Sequence, residues 1–471
     1  MIVHRHHRRP ILDRRALLIG LAVTSFVAAG CGSSSSSTPA ATTTTSTTTT
    51  TTTTSAATTT AASVSSTPSG TAATAPAPTP ASAAPSAPTT TTAPPSGGTL
   101  ASLQPQIEAI LTAALAPNGV KLNAEALPGN SPTGVSVGVR VSGQPDLLVA
   151  AGTQVDASAV PFSATAPFAA SFNTEMTTLL IGWMMVDDGT LDPKATIDRW
   201  LPKFPNAKSI TIEMLLDHTD GMVDMNAEAS TLALADLRKH WTLAEVLDTL
   251  ASLPPAAPAG TVGTNFSEGT GGVALAFIME QVTGKDIAAI YQQRLIGPLG
   301  LTSTQLSATV PAGYQFGTFQ LNGEVANAAH YDNTSYLSFG LPVWGMSSTL
   351  GDQLTLTEAI GAGKVPGLTR SLRADSFTTA RVLGGGADGA MRYPATGYPV
   401  FGYCPCTTAG ANVTPTAIGR RGNSTAAITQ WFYFPAKGIS VVVHFDDDEV
   451  DIDAAQGVAY SVEQVVAATL P

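Results

Sequence analysis

Three short stretches of the chain carry side chains able to do chemistry. In "APFAASFNTEMTTLLIGWMMVDDG", residues 166–189, Ser171 stands at the start of an apolar run and Glu175 follows four residues later. Spacing of four places two side chains on one helical face, so a carboxylate there can act as base for a hydroxyl. No lysine follows Ser171 at helical spacing. The other reading is structural: Ser171 caps the helix that buries Met176, Leu179, Leu180, Trp183 and Met184, a role that contributes about 1 kcal/mol. In "TNFSEGTGG", Glu268 is either an acid or base or a solvated residue of a glycine-rich turn. In "AIGRRGNSTA", Arg420 can clamp a carboxylate through two nitrogens or form a surface salt bridge. Ser424 follows in a pattern faintly like a nucleophile elbow, but a strand rather than a helix comes next. His218 in "DHTDG" reads as a buried, hydrogen-bonded histidine.

Beyond the N-terminal segment the histidines are His218, His240, His330 and His444, and no His-Glu-x-x-His occurs. No metal site and no cofactor is expected. Cys404 and Cys406, in "GYCPC", are either a tight disulfide or two thiols.

The elements that must position these residues are legible from periodicity. Ile107, Ile110, Leu111, Ala114 and Leu115 repeat at helical spacing. "GVSVGVRV", the turn "SGQPD" and "LLVAAG" predict a hairpin; "AITQWFYF", "PAKG" and "ISVVVHF" predict a second. "DIDAAQGVAYSVEQVVAATL" predicts a closing helix with Val458, Val462, Val465 and Val466 on one side. The expected fold class is α/β: an antiparallel sheet built from both ends of the chain and flanked by the terminal helices. A mainly helical lobe, from about 172 to 380, lies against it, and the cleft between them is the default site.

Five stretches, in order, resemble the serine β-lactamase and penicillin-binding-protein-like family, in its class C, DD-peptidase and esterase branch. They are "DDGTLDPKATIDRWLP", "ITIEMLLDHTDGM", "VALAFIMEQVTGKDIAAIYQQRLIGPLGLTST", "WGMSSTLGD" and "AIGRRGNSTAAITQWFYFPAKGISVVV". The resemblance covers most of 100 to 470. It implies a nucleophilic serine at the start of a central helix in a Ser-x-x-Lys motif. Counting back from "DDGTLD" by the family's helix length puts Phe172 in the serine slot and Glu175 in the lysine slot. The family's Tyr-x-Asn falls either on Phe266-Ser267-Glu268, which keeps a ring and loses the hydroxyl, or on Ser267-Glu268-Gly269, which loses the ring too. Its Lys-Thr-Gly or His-x-Gly falls on Arg420-Arg421-Gly422, which keeps positive charge; arginine cannot exchange a proton near neutral pH as histidine can.

Residues 1–30, with five arginines before an apolar stretch too short to span a bilayer, read as an export signal. "DRRALL" resembles a twin-arginine signal. "AAGC" resembles a lipobox that would make Cys31 a lipidated first residue; an ordinary secretory signal with a chance cysteine is the alternative. Residues 31–98 form a Ser/Thr/Pro-rich tether expected to be disordered, and 99–471 form the folded domain. Removing the leader's five arginines and one aspartate from the chain's −11 leaves −15, which argues against nucleic-acid partners. The expected location is the outer face of a bacterial cell membrane, through the lipid anchor. Three functions fit: a degenerate family member binding a cell-wall peptide, a β-lactam-like ligand or a protein partner; an active serine hydrolase using Ser171; and a tethered scaffold.

Overall fold

A computed structural model describes residues 98–155, 157–261, 269–321, 323–369, 382–386, 389–392, 401–403 and 416–470. Cys31, Cys404, Cys406, Phe266, Ser267 and Glu268 lie outside them.

The first described helix, α1 (Gln104–Leu115), buries Ile107, Leu111 and Ala114, the stripe that the periodicity predicts. Strands β1 (Gly134–Val141) and β2 (Leu147–Gln154) follow as the predicted hairpin, with β3 (Ala157–Pro161) at the sheet edge and the short β4 (Phe168–Ala169) beyond it. Helix α2 (Asn173–Asp187) comes next and is buried almost all round. That explains why it carries apolar residues with little amphipathic bias. Helix α3 (Thr270–Thr283) packs beside it. Two short pairings then occur: β5 (Gln305–Leu306) with β8 (Met346–Ser348), and β6 (Thr318–Leu321) with β7 (Glu324–Asn327). Helix α4 (Leu350–Gly361) precedes the remaining strands, β9 (Val382–Gly386), β10 (Gly389–Arg392), β11 (Phe401–Tyr403), β12 (Ala417–Ser424), β13 (Ala427–Phe434) and β14 (Ile439–Phe445). Helix α5 (Ile452–Thr469) closes the chain.

The main sheet runs β3-β2-β1-β14-β13-β12-β11-β10-β9, with its pairs antiparallel. The first and last strands of the described domain therefore meet at its centre, where β1 pairs β14 over seven residues from Val135↔Phe445 to Val141↔Ile439. Alternation sends Val135, Val137, Val139, Val441, Val443 and Phe445 to one face, against α1 and α5. Val442 and Trp431 point to the other face, where Leu350 and Leu354 of α4 join the core of the helical lobe. Gly138 faces α4; a Cβ there would stand 3.0 Å from Leu354 Cδ1. The α/β class, the antiparallel sheet, the terminal helices and the helical lobe all match the sequence expectation. Strands β9 to β11 extend the sheet beyond it.

Candidate active site

The site is built where the N-terminus of α2 meets β12 and β13. Ser171 precedes that helix with φ +55° and is fully buried. A left-handed backbone at a non-glycine residue costs about 1–3 kcal/mol and persists only where its surroundings hold it. Four hydrogen bonds do so. The Ser171 carbonyl accepts from the Thr174 amide at 2.9 Å and from Thr174 Oγ1 at 2.8 Å. Its hydroxyl donates to the Ala427 carbonyl at 3.3 Å and accepts from Ser424 Oγ at 2.9 Å. One residue on, Asn173 Nδ2 donates to the Thr429 carbonyl at 2.9 Å.

These contacts correct the capping reading of Ser171. The N-cap residue of α2 is Phe172, in helical conformation and without a side-chain cap bond. The left-handed turn aims the serine side chain at the β12–β13 hairpin, away from the helix amides. Gly422 makes the approach possible: a Cβ there would stand 3.1 Å from Ser171 Cβ and 3.2 Å from Asn173 Cγ.

Phe172 packs into a row of rings. It tilts against Trp344 at 5.7 Å between centroids, and Trp344 stacks on Tyr336 at 5.0 Å with 17° between planes. Trp344 Nε1 donates to the Tyr336 carbonyl, and the Tyr336 hydroxyl accepts from the Thr425 amide at 3.0 Å.

Glu175 is fully buried. Its Oε1 accepts from the Gly269 amide at 2.9 Å, and its Oε2 lies 3.1 Å from Arg420 Nη2. Arg420, on β12, is 3% exposed. The pair is thus a buried salt bridge that spends Arg420's positive charge inside the protein. It is neither the ligand clamp nor the surface bridge that the sequence suggests, because both side chains are buried. Glu175 and Ser171, considered as base and nucleophile, bond to different partners: the carboxylate to Arg420 and Gly269, the hydroxyl to Ser424 and Ala427. Arg421 points to the opposite face of the sheet, bonding Asp453 and Gln456 on α5.

The start of α3 is shaped around buried carboxylates. A Cβ on Gly272 would lie 3.2 Å from Glu175 Oε1, and one on Gly271 would lie 2.8 Å from Asp220 Oδ2. The "GTGG" stretch therefore serves close approach here. His218 is buried with φ +54°. One buried phenol does lie near Glu175. The Tyr291 hydroxyl donates to the Thr174 carbonyl at 2.9 Å and accepts from Thr177 Oγ1 at 3.0 Å, and burial with the nearby Glu175 charge raises its pKa. Tyr291, Tyr336, Trp344 and the Ser424–Ser171 contact escaped the sequence reading. The aromatic residues sit in otherwise ordinary helical stretches, and left-handed serine has no sequence signature.

Among the described residues, no group of three His, Cys, Asp or Glu side chains is placed to hold a metal ion, and no helix is long and apolar enough to cross a membrane. A small recess of about 30 Å³ opens beside the site, lined in part by Tyr314, Tyr336, Trp344, Ser424 and Thr425.

Residues 120–460 match the sequence model of the family described as Beta-lactamase. Solved structures share the fold at low identity. A D-amino acid amidase from Ochrobactrum anthropi SV3, complexed with L-phenylalanine amide, superposes with a TM-score of 0.60 at 20% identity, over 78% of this chain and 98% of that one. A D-stereospecific amidohydrolase from Streptomyces sp. gives 0.59 at 18%, over 76% and 98%. A mutant class C β-lactamase gives 0.55 at 15%, over 77% and 97%.

Proposed function

The chain belongs to the β-lactamase family, and we propose that within it this domain binds a cell-wall peptide, a related small ligand or a protein partner with little or no hydrolysis. The observation that carries the reading is the buried Glu175–Arg420 pair. Counting by the family's helix length puts Glu175 in the slot of the lysine and Arg420 in that of the third motif's cation. Acyl transfer by a serine needs a nearby group that takes the hydroxyl proton and returns it. Arginine does not exchange protons in this range, and Glu175 bonds Arg420 and a backbone amide. Phe172, in the nucleophile's slot by the same count, is a ring packed on Trp344. We also propose that the domain is carried on a lipidated Cys31 and a Ser/Thr/Pro-rich tether at the outer face of a bacterial membrane.

The second reading is an active serine hydrolase using Ser171, and the strained backbone of that residue is the observation in its favour. One assay separates the two. Purified protein is treated with a fluorescent penicillin and a fluorophosphonate, beside Ser171→Ala. No covalent label and no turnover of ester, amide or β-lactam is expected. Labelling that disappears in Ser171→Ala overturns the proposal.

A further inference from the structure

Residues 196–211, which follow α2, form a closed surface loop. Its ends meet in an antiparallel bridge, Thr196↔Thr211. Beside the bridge the Ile197 amide donates to the Ile210 carbonyl and the Ile212 amide to the Ala195 carbonyl, both at 3.0 Å. Ile197, Leu201, Phe204, Ala207 and Ile210 are at most 9% exposed and join the core of the helical lobe. The positions between these anchors face outward: Arg199, Lys203 and Lys208 are exposed, as is Lys194 just before the loop. Compact loops closed at the base and packed by their own side chains often carry function.

From Arg199 to Ser209 the loop carries three cations and no carboxylate. Its acids lie at the base. Asp198 accepts from Thr196 Oγ1 at 2.6 Å, Asp192 accepts from the Lys194 amide at 2.9 Å, and Glu213 follows the closing bridge. Among the described residues, none of Lys194, Arg199, Lys203 and Lys208 forms an ion pair. Such a tip is an exception in a chain of net charge −11. Trp200 sits among these cations and is partly exposed, with the Arg199 guanidinium 5.1 Å from its ring centroid. The other tryptophans, Trp183, Trp241, Trp344 and Trp431, are at most 8% exposed.

We infer that this loop tip docks the domain on a bilayer surface containing anionic lipid. Lysine and arginine near such a surface are drawn to it, and a half-buried indole suits the boundary between headgroups and acyl chains. The indole favours a lipid surface over a soluble anionic polymer, which offers phosphates but no apolar layer. A few cations bind weakly on their own. The proposed tether, as a coil, would span about 45 Å root-mean-square and so hold the tip near the membrane at high effective concentration. Docking also fixes an orientation. The loop leaves the C-terminal end of α2, whereas Ser171 precedes its N-terminus; 15 residues at about 1.5 Å each separate the two ends by about 22 Å. The returning chain passes Leu216 beside Gly182 before Asp220 reaches Gly271 at the start of α3, near Glu175. A domain resting on the loop tip therefore holds its candidate site on the side away from the bilayer. The inference is independent of what that site binds, and the proposed anchor enters it only as the source of effective concentration.

The test is quenching of tryptophan fluorescence in the full chain by vesicles with brominated acyl chains, made of phosphatidylcholine alone or mixed with phosphatidylglycerol. Quenching is expected only where phosphatidylglycerol is present. It is expected to vanish in high salt and in Trp200→Phe, since Trp200 is the exposed indole. Lys203→Glu combined with Lys208→Glu is expected to weaken vesicle affinity at least about tenfold. Both side chains are exposed, so the melting temperature should not change. Lys285→Glu combined with Lys437→Glu alters net charge equally at exposed positions elsewhere and is expected to leave affinity within about twofold. No quenching, quenching without phosphatidylglycerol, or the same affinity in both double variants overturns the inference. Binding of soluble poly(glycerol phosphate) as tight as that of the vesicles overturns it too. Fractionation of Cys31→Ala reads the anchor separately. Failure of the anchor with quenching by added vesicles intact overturns only the lipidation, and the converse result overturns only the docking.

Discussion

At the scale of single residues, the Glu175–Arg420 pair decides what the site is. Neither side chain is more than 4% exposed. Removing one partner of such a pair strands a buried charge, whereas replacing both by apolar groups of similar volume is often neutral. Arg420→Met is therefore expected to destabilise the domain by about 3–5 kcal/mol. Glu175→Leu combined with Arg420→Met is expected to recover most of that loss in urea denaturation. A double variant as unstable as the sum of the singles would show that the two side chains are not coupled. Gly422→Ala makes a second residue-scale prediction. Its Cβ would meet the Thr429 carbonyl at 2.8 Å and the Ser171 and Asn173 side chains just beyond. Overpacking of this kind costs about 1–3 kcal/mol, read as a lowered melting temperature. What was legible here was the replacement of residue types: the count from Gly189 marks Phe172 and Glu175 as substitutions. That Glu175 bonds a residue 245 positions away was not legible, because no local pattern encodes a pairing across the fold.

At the scale of elements, α2 is fastened to the sheet through a polar row in a largely apolar interface. Gly422, Thr429, His444 and Ser136 stand side by side on β12, β13, β14 and β1. Thr429 Oγ1 donates to the Ala169 carbonyl at 2.7 Å, so in its 3.0 Å contact with His444 Nδ1 it is the acceptor. The ring of His444 stacks on Phe168 at 4.3 Å. Burial lowers its pKa from 6.5 to about 3, so the folded state keeps it neutral. In the sign of the linkage, the unfolded chain takes up a proton below pH 6.5 that the folded chain refuses. The contribution of His444 is present above pH 6.5 and is lost as pH falls toward 3, by an amount on the order of 4–5 kcal/mol. Asp446 works in the opposite sense: its raised pKa favours folding at low pH and is lost as pH rises through about 7. The two are separated by comparing wild type with His444→Gln in urea at steps from pH 7 to pH 4. The variant is expected to lose less stability over that range, and equal slopes would mean that the buried imidazole titrates normally. The two hairpins and terminal helices were legible because alternation and the 3.6-residue period survive in them. Strands β9 to β11 were not: "VLGGG" and "GAMR" carry too few β-branched residues to signal a strand.

At the scale of the whole molecule, the proposed tether and lipid anchor would hold the folded domain without being part of it. Among the described residues, the strands nearest the two ends of the domain pair at the centre of the main sheet, and α1 and α5 cover its outer face. Residues 32–98 carry no charged or aromatic side chain, and a segment of that composition buries too little apolar surface to offset its own ordering entropy. Domain stability and tethering are therefore expected to be independent. One lipid group gives only marginal membrane binding on its own, whereas the acyl chains of a lipidated cysteine act together. Cys31→Ala is accordingly expected to move the protein from the membrane pellet to the medium, or to leave it as an unprocessed precursor. The released domain should keep its melting temperature within about 2 °C, since the substitution falls at the proposed anchor rather than in the folded domain. Fractionation of cells producing each form, with globomycin as the parallel block on lipoprotein processing, measures the first effect, and thermal denaturation measures the second. If Cys31→Ala stays in the pellet as a processed protein, the anchor lies elsewhere. If it leaves the membrane with a lowered melting temperature, the tether belongs to the fold.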